Sequence, residues 1–128
     1  MPQPLHLIIV DDESFMRDNL AHLFPWEELG YEVASVFANG REALAYLEHN
    51  PADVVLTDIQ MPVMDGYQAT QAIRALPRAD AKEIPIIALT ANAFAADLGK
   101  AHSAGMDDHI AKPIDMQVLV EALSRLMA

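Results

Sequence analysis

Cysteine is absent from the 128 residues, which excludes disulfides and thiolate metal sites. Basic residues are scarce. Eight Lys and Arg stand against 19 Asp and Glu, a formal net charge of −11. A chain of that sign is repelled by the phosphate backbone of nucleic acids, so direct nucleic-acid binding is not expected. No apolar run approaches the roughly 20 residues needed to span a bilayer, so membrane insertion is not expected either. The opening stretch MPQPLHLIIVDD lacks the basic n-region and the small-residue cleavage site of a secretory signal. A cytoplasmic location fits these absences. No repeat, low-complexity stretch or linker interrupts the sequence, and one domain over residues 1–128 is the expectation.

What is present is an alternation of apolar runs and helical patterns along the whole length. Leu5–Val10 (LHLIIV) reads as a strand, and Ser14–Phe24 as a helix with Met16, Leu20, Leu23 and Phe24 in register, ended by Pro25. Tyr31–Phe37 (YEVASVF) is a second strand, followed by an Asn39-Gly40 turn and a short helix, Arg41–His49. Asp53–Thr57 is a third strand. The loop Asp58–Gly66 leads to a helix carrying Ala69, Ile73 and Leu76. Pro85–Leu89 is a fourth strand, Asn92–Ala104 a weaker helix, and Asp108–Ala111 a short fifth strand. The last helix starts at the N-cap Asp115 and carries Met116, Leu119, Val120, Leu123 and Leu126 as its stripe.

Strict alternation implies parallel strands joined by right-handed crossovers, an α/β fold. LHLIIV, DVVLT and PIIAL are almost wholly apolar, as strands covered on both faces are. YEVASVF mixes in polar residues and DHIA is short, so these two are placed at the edges. The expected architecture is a single five-unit (βα)5, doubly wound parallel sheet of strand order 2-1-3-4-5.

In such sheets ligands bind beyond the carboxyl ends of the strands, near the switch in strand order. The first strand ends in Asp11-Asp12, the third in Asp58, the fourth in Thr90-Ala91, and Lys112-Pro113 follows the fifth. Three carboxylates, a hydroxyl and an ammonium therefore converge. Crowded carboxylates repel one another and raise a pKa unless a counter-charge is present. Mg²⁺, which prefers oxygen ligands and commonly sits on one or two carboxylates plus a phosphate, answers that need. The five histidines (His6, His22, His49, His102 and His109) show no metal-binding spacing. Taken alone, Asp11-Asp12 could be an acidic pair at a helix start, Thr90 a cap and Lys112 a surface lysine. The combination at matching strand ends is what is specific.

The motifs IIVDDE (Ile8–Glu13), LTDIQMPVMDG (Leu56–Gly66), ALTA (Ala88–Ala91) and AKP (Ala111–Pro113) together resemble the response-regulator receiver family of two-component signalling, over essentially the whole chain. The resemblance implies a flavodoxin-like fold and a domain phosphorylated on Asp58, with Mg²⁺ held by Asp11, Asp12, Asp58 and the Gln60 carbonyl. It implies that Lys112, Thr90 and the Ala91 N–H contact the phosphoryl oxygens, and that the Lys112–Pro113 peptide is cis. The donor would be a histidine kinase or a histidine phosphotransfer protein. The output would pass to an effector domain or a homodimer partner, and the domain would catalyse its own dephosphorylation. Gln60 and Asn92 occupy positions that tune the lifetime of the phosphorylated state. Switching belongs to the Thr90–Pro113 half, where Thr90 moves toward the phosphoryl group. The ring three residues before the lysine, commonly aromatic in the family, is here His109, whose titration invites a pH-sensitive output face. Phe15, off the apolar stripe of its helix, and Met16, on it, are candidates for donor docking.

Pro25–Val33 (PWEELGYEV) resembles receivers attached to helix-turn-helix regulators, whereas Leu89–Asp115 resembles those of hybrid histidine kinases. Other readings fit the residues less well: a nucleotide or flavin binder of this fold needs a Gly- or Ser/Thr-rich phosphate loop after the first strand, where Asp11-Asp12 would repel a phosphate. A Mg²⁺-dependent phosphatase of the haloacid-dehalogenase type wants an acid two residues after its nucleophile, where this chain has Gln60. A protein-interaction module that has lost phosphorylation would not need all five site residues, and all five are present.

Overall fold

Residues 4–22, 24–59, 61, 63–90, 98–112 and 114–127 are described by the structure, a computed structural model. Strands and helices alternate: β1 (Leu5–Val10), α1 (Ser14–His22), β2 (Tyr31–Phe37), α2 (Gly40–Leu47), β3 (Val54–Asp58), α3 (Gly66–Arg74), β4 (Ile86–Thr90), α4 (Leu98–Ala104), β5 (Asp108–Ala111) and α5 (Met116–Leu126). The strands form one parallel sheet in the order β2-β1-β3-β4-β5, which is the order expected from strand composition.

That order follows from which strands can be covered on both faces. β3 and β4 are buried at every position and β1 at its last four, whereas β2 and β5 alternate with exposed residues. The side-chain period of two then sends successive core residues to opposite layers. Ile8, Val10, Val55, Ile86 and Ala88 pack with Ala43, Leu47, Tyr67, Ile73 and Ala101 of α2, α3 and α4. Leu7, Ile9, Leu56, Ile87 and Leu89 pack with Leu20 of α1 and Leu119, Ala122 and Leu123 of α5. Side-chain caps start the helices. Asn39 accepts from the Glu42 N–H at α2, Asp65 and Gln68 form a reciprocal capping box at α3, and Asp115 accepts from Gln117 and Val118 at α5.

Several boundaries differ from the sequence expectation, each for a local reason. α1 ends at His22, not Phe24. Phe24 leaves the helix and stacks on Trp26, ring centroids 5.6 Å apart, and the buried Trp26 Nε1–H donates to the Leu20 carbonyl at 2.7 Å. Asp53 precedes β3, where its carboxylate accepts from the His6 N–H at 2.6 Å, and Asp58 is the strand's last residue. Pro85 has no N–H to give to the sheet, so β4 starts at Ile86 and extends through Thr90, although the Pro85 carbonyl still accepts from Val55. Leu76 lies past the end of α3 but still packs on the core. On α5 the exposed Met116 is off the buried stripe and Ala122 is on it. The first part of the helix expected over 92–104 lies outside the described residues.

Candidate functional site

β1 and β3 are neighbours in register, with Val10 opposite Thr57. The residues that follow, Asp11 and Asp58, therefore arrive side by side at the carboxyl edge of the sheet. Asp11 is held by its backbone: its N–H donates to the Phe37 carbonyl at 3.0 Å, and its own carbonyl accepts from Arg17 Nη1 at 2.8 Å. Its Oδ1 accepts from the Glu13 N–H at 3.0 Å. Asp58 Oδ1 accepts from the Ile59 N–H at 2.8 Å. Just behind Asp58, Gly66 lies so close that a Cβ would sit 2.4 Å from the Asp58 carbonyl oxygen. Only glycine permits that approach.

Asp11 is 1% exposed and Asp58 9%, while Asp12 is open to solvent. One carboxylate oxygen from each of the three lies within 4.8 Å of the others. Lys112 reaches the same place from the far side of β4. Its backbone N–H donates to the Thr90 carbonyl at 2.7 Å, and its Nζ donates to Asp11 Oδ2 at 2.8 Å and stands 3.6 Å from Asp58 Oδ2. Thr90, at the last position of β4, is buried.

Burial pushes the Asp58 carboxyl up to about 6. The Lys112 ammonium opposes that rise, and the charges on Asp11 and Asp12 add to it. Burial works against the charged form of Lys112. The hydrogen bond it donates to Asp11 and the charges of Asp58 and Asp11 outweigh it, so its pKa stands above the ordinary lysine value. Three acids with one ammonium leave an excess of negative charge at a site made wholly of oxygen donors. That donor set fits a small hard cation rather than a soft one.

The structure thus brings together four of the residues that the sequence placed at strand ends, Asp11, Asp12, Asp58 and Lys112, and it sets Thr90 at the end of the neighbouring strand, one residue past the Leu89 paired with Asp58. Gln60, Ala91, Asn92 and Pro113, with the cis peptide expected before it, lie outside the described residues. His109 does not reach the pocket. It is on the edge strand β5 with its Nδ1 3.9 Å from Asp108 Oδ1, and Asp108 is also paired with Arg125. Phe15 projects into solvent beside the acids, and Met16 is half-buried. Sequence reasoning missed Arg17, which holds the Asp11 carbonyl. An arginine six residues on, one turn into a helix, carries no signal that separates it from a solvated face.

The family profile described as "Response regulator receiver domain" matches residues 7–124. The chain is 36% identical over 118 residues to the sensor histidine kinase RcsC of Salmonella typhimurium, covering 92% of this chain and 12% of that protein. It is 33% identical over 128 residues to the response regulator Rre1 of Synechocystis, covering all of this chain and 54% of that one. The chain therefore spans between about an eighth and about half of these relatives' lengths. Among solved structures, the receiver domain of the sensor histidine kinase PA1611 from Pseudomonas aeruginosa, with a magnesium ion coordinated in its active-site cleft, superposes with a TM-score of 0.84 at 35% identity, over 98% of this chain and 99% of that one. The chemotaxis response regulator CheY4 of Vibrio cholerae superposes with a TM-score of 0.83 at 30% identity, over 97% and 99% of the two chains.

Proposed function

The chain belongs to the response regulator receiver family of two-component signalling, and from that premise we propose that it takes a phosphoryl group from a phosphohistidine onto Asp58. The observation that carries this reading is the pocket itself. Carboxylates from two adjacent strand ends share one small volume, with the Lys112 ammonium 2.8 Å from Asp11 and 3.6 Å from Asp58.

In the proposed reaction an Asp58 carboxylate oxygen forms a bond to phosphorus as the P–N bond of phosphohistidine breaks. The imidazole nitrogen leaves with the electron pair and takes up a proton. Catalysis of this kind is chiefly positioning and stabilisation of charge on the equatorial oxygens. The Ile59 N–H fixes one Asp58 oxygen and leaves the other facing Lys112. Lys112 would transfer part of its pairing from Asp11 to the incoming phosphoryl oxygens, and Thr90, one residue past the Leu89 that pairs with Asp58 in the sheet, would add a hydroxyl donor. Asp11, Asp12 and Asp58, with the Gln60 carbonyl, would hold Mg²⁺, which supplies positive charge against the doubly anionic group. Hydrolysis reverses the bond change: water attacks phosphorus, the P–O bond to Asp58 breaks, and inorganic phosphate leaves. The donor would be a histidine kinase or phosphotransfer protein, and the working compartment the cytoplasm.

The test is incubation with phosphoimidazole, with and without Mg²⁺, followed by intact-mass measurement. One base-labile, metal-dependent phosphoryl adduct is expected, absent from Asp58→Asn. An adduct that persists in that variant would mean the nucleophile lies elsewhere, and steady hydrolysis of unrelated phosphate esters would point to a phosphatase.

A further inference from the structure

The Asp11 carbonyl sits just past the end of the sheet. The register of β1 with its two neighbours closes at Val10, opposite Phe37 and Thr57. Asp11 still donates its N–H to the Phe37 carbonyl at 3.0 Å, and its own carbonyl lies one position beyond. A backbone acceptor in a mostly buried place needs a donor. Arg17, one turn into α1, bends back to supply it, with Nη1 2.8 Å from that oxygen. On its own the contact would concern stability alone; what that oxygen is joined to extends its reach.

That oxygen belongs to the peptide joining Asp11 to Asp12, two of the three acids in the pocket. A peptide unit is rigid and planar from one Cα to the next. A hydrogen bond on its oxygen therefore fixes where the Asp12 Cα stands. The other two acids have side-chain anchors of their own. Asp11 Oδ1 and Oδ2 accept from the Glu13 N–H and Lys112 Nζ, and Asp58 Oδ1 accepts from the Ile59 N–H. Asp12 is the member open to solvent, so its backbone has the larger share in aiming its carboxylate. Mg²⁺ demands near-ideal ligand geometry. Groups that orient metal ligands from behind change metal affinity about 10- to 100-fold when removed. We infer that Arg17 is a positioning residue for the metal: through the Asp11–Asp12 peptide it keeps the Asp12 carboxylate where it can share a cation with Asp11 and Asp58. The inference rests on the Mg²⁺ pocket of the proposed function and adds to it a residue outside the ligand set that governs metal affinity.

Charge and position predict opposite signs. Arg17 is a cation beside three acids, so if charge were all it contributed, its removal would tighten Mg²⁺ binding. If it holds the peptide, its removal loosens binding even though the electrostatics improve. The test is calorimetric Mg²⁺ titration of the full chain as wild type, Arg17→Gln and Arg17→Lys, with melting temperatures in parallel. Arg17→Gln should raise the Mg²⁺ Kd about tenfold. Arg17→Lys, whose ammonium can still donate to one carbonyl but without the planar guanidinium, should lie between the two. With phosphoimidazole as donor, Arg17→Gln should be slow at limiting Mg²⁺ and recover the wild-type rate at saturating Mg²⁺, since Arg17 acts on the metal site and not on the phosphoryl group. A lower melting temperature with an unchanged Kd would make Arg17 a cap on the strand end and nothing more. A tighter Kd would leave only its charge, and a rate that stays low at saturating Mg²⁺ would place its effect on the transfer itself. Each of these overturns the inference and leaves Asp58 as acceptor. If Arg17→Gln failed to fold, Arg17→Lys would decide alone, a raised Kd supporting the inference and a wild-type Kd overturning it. A wild type that binds no Mg²⁺ and takes no phosphoryl group would sink the phosphoacceptor reading itself.

Discussion

Lys112 donates to Asp11, 101 residues earlier in the chain, at 2.8 Å, so the last strand and the first are tied at the carboxyl edge of the sheet. The ammonium plays two parts that one substitution separates. It partly neutralises the three acids, and in the proposed reaction it would be the cation that meets the incoming phosphoryl group. Lys112→Met should therefore bind Mg²⁺ about tenfold more tightly, because a positive charge within a few ångströms is removed from a partly buried site. The same variant should accept phosphoryl groups at least about a hundredfold more slowly, because a donor of transition-state charge is lost. Calorimetric Mg²⁺ titration and phosphoimidazole kinetics should move in opposite directions. A parallel loss of both would mean that Lys112 only props the pocket open.

Asp58 should add a distinct step to the pH dependence of the metal-free protein. Its folded value is about 6 against an ordinary 3.8. The folded state thus holds a proton that the unfolded chain has released between those values, and stability falls as pH rises from about 4 to about 6. The loss attributable to this one mostly buried group is about 3 kcal/mol. Asp58→Asn should remove it, giving a higher melting temperature than wild type at pH 7.5 without Mg²⁺ and a flatter profile below pH 6. Adding Mg²⁺ should narrow the gap by stabilising wild type through binding to the folded state. Lys112 acts at the other end of the scale. Its raised pKa adds stability that is complete below the unfolded lysine value and fades as pH climbs through the folded one. Thermal melts of the two proteins across pH 4–8, with and without metal, would show whether the gap opens in the stated window.

These site residues were legible in the sequence because the fold assigns them by rule. A strand buried on both faces can be recognised by composition, and the residue that ends it must lie at the ligand-binding edge, so Asp11, Asp58 and Thr90 follow from LHLIIV, DVVLT and PIIAL. Helix starts were legible where a cap is local, as at Asp115. What was hidden depends on partners far apart in sequence or on backbone angles. Nothing in the string marks Val63 as left-handed or Arg17 as the donor to the Asp11 carbonyl. Nor does it mark Met116 as facing water, because α5 lies on the sheet through Leu119, Ala122 and Leu123, a stripe that helical spacing alone does not distinguish from its neighbour.

Arg74 is another residue of that hidden kind, and its loss should be costly. From the end of α3 its guanidinium donates to the carbonyls of Ile84 at 2.6 Å and Gly105 at 2.7 Å and to Asp107 Oδ2 at 2.9 Å, and that same carboxylate oxygen accepts from the Ile86 N–H. One planar fork thus joins α3 to the start of β4 and the end of α4. Arg74→Ala would strand two partly buried backbone acceptors and should cost about 1–3 kcal/mol. Arg74→Lys should recover only part, since an ammonium cannot span the same set of acceptors. Urea denaturation of both variants at neutral pH is the measurement. Midpoints within error of wild type would mean that solvent replaces the network at no cost.

Gly66 offers a sharper test of how the loop after β3 places Asp58. A Cβ there would meet the Asp58 carbonyl oxygen at 2.4 Å and the Ile59 Cα at 3.0 Å, both backbone atoms that cannot swing aside. Relieving that contact means moving the end of β3, and with it the carboxylate that must face Lys112. Gly66→Ala should therefore lose about 2–3 kcal/mol of stability through overpacking and also lower the phosphorylation rate of the fraction that remains folded, by about tenfold or more for a displacement near 1 Å. Gly30→Ala is the matched control. Its φ is 88° but nothing lies within 4 Å of the added carbon, so it should cost only about 1–2 kcal/mol of left-handed backbone strain and leave phosphorylation unchanged. If both alanines lowered stability equally and neither altered the rate, the close approach at Gly66 would have no part in setting the position of Asp58.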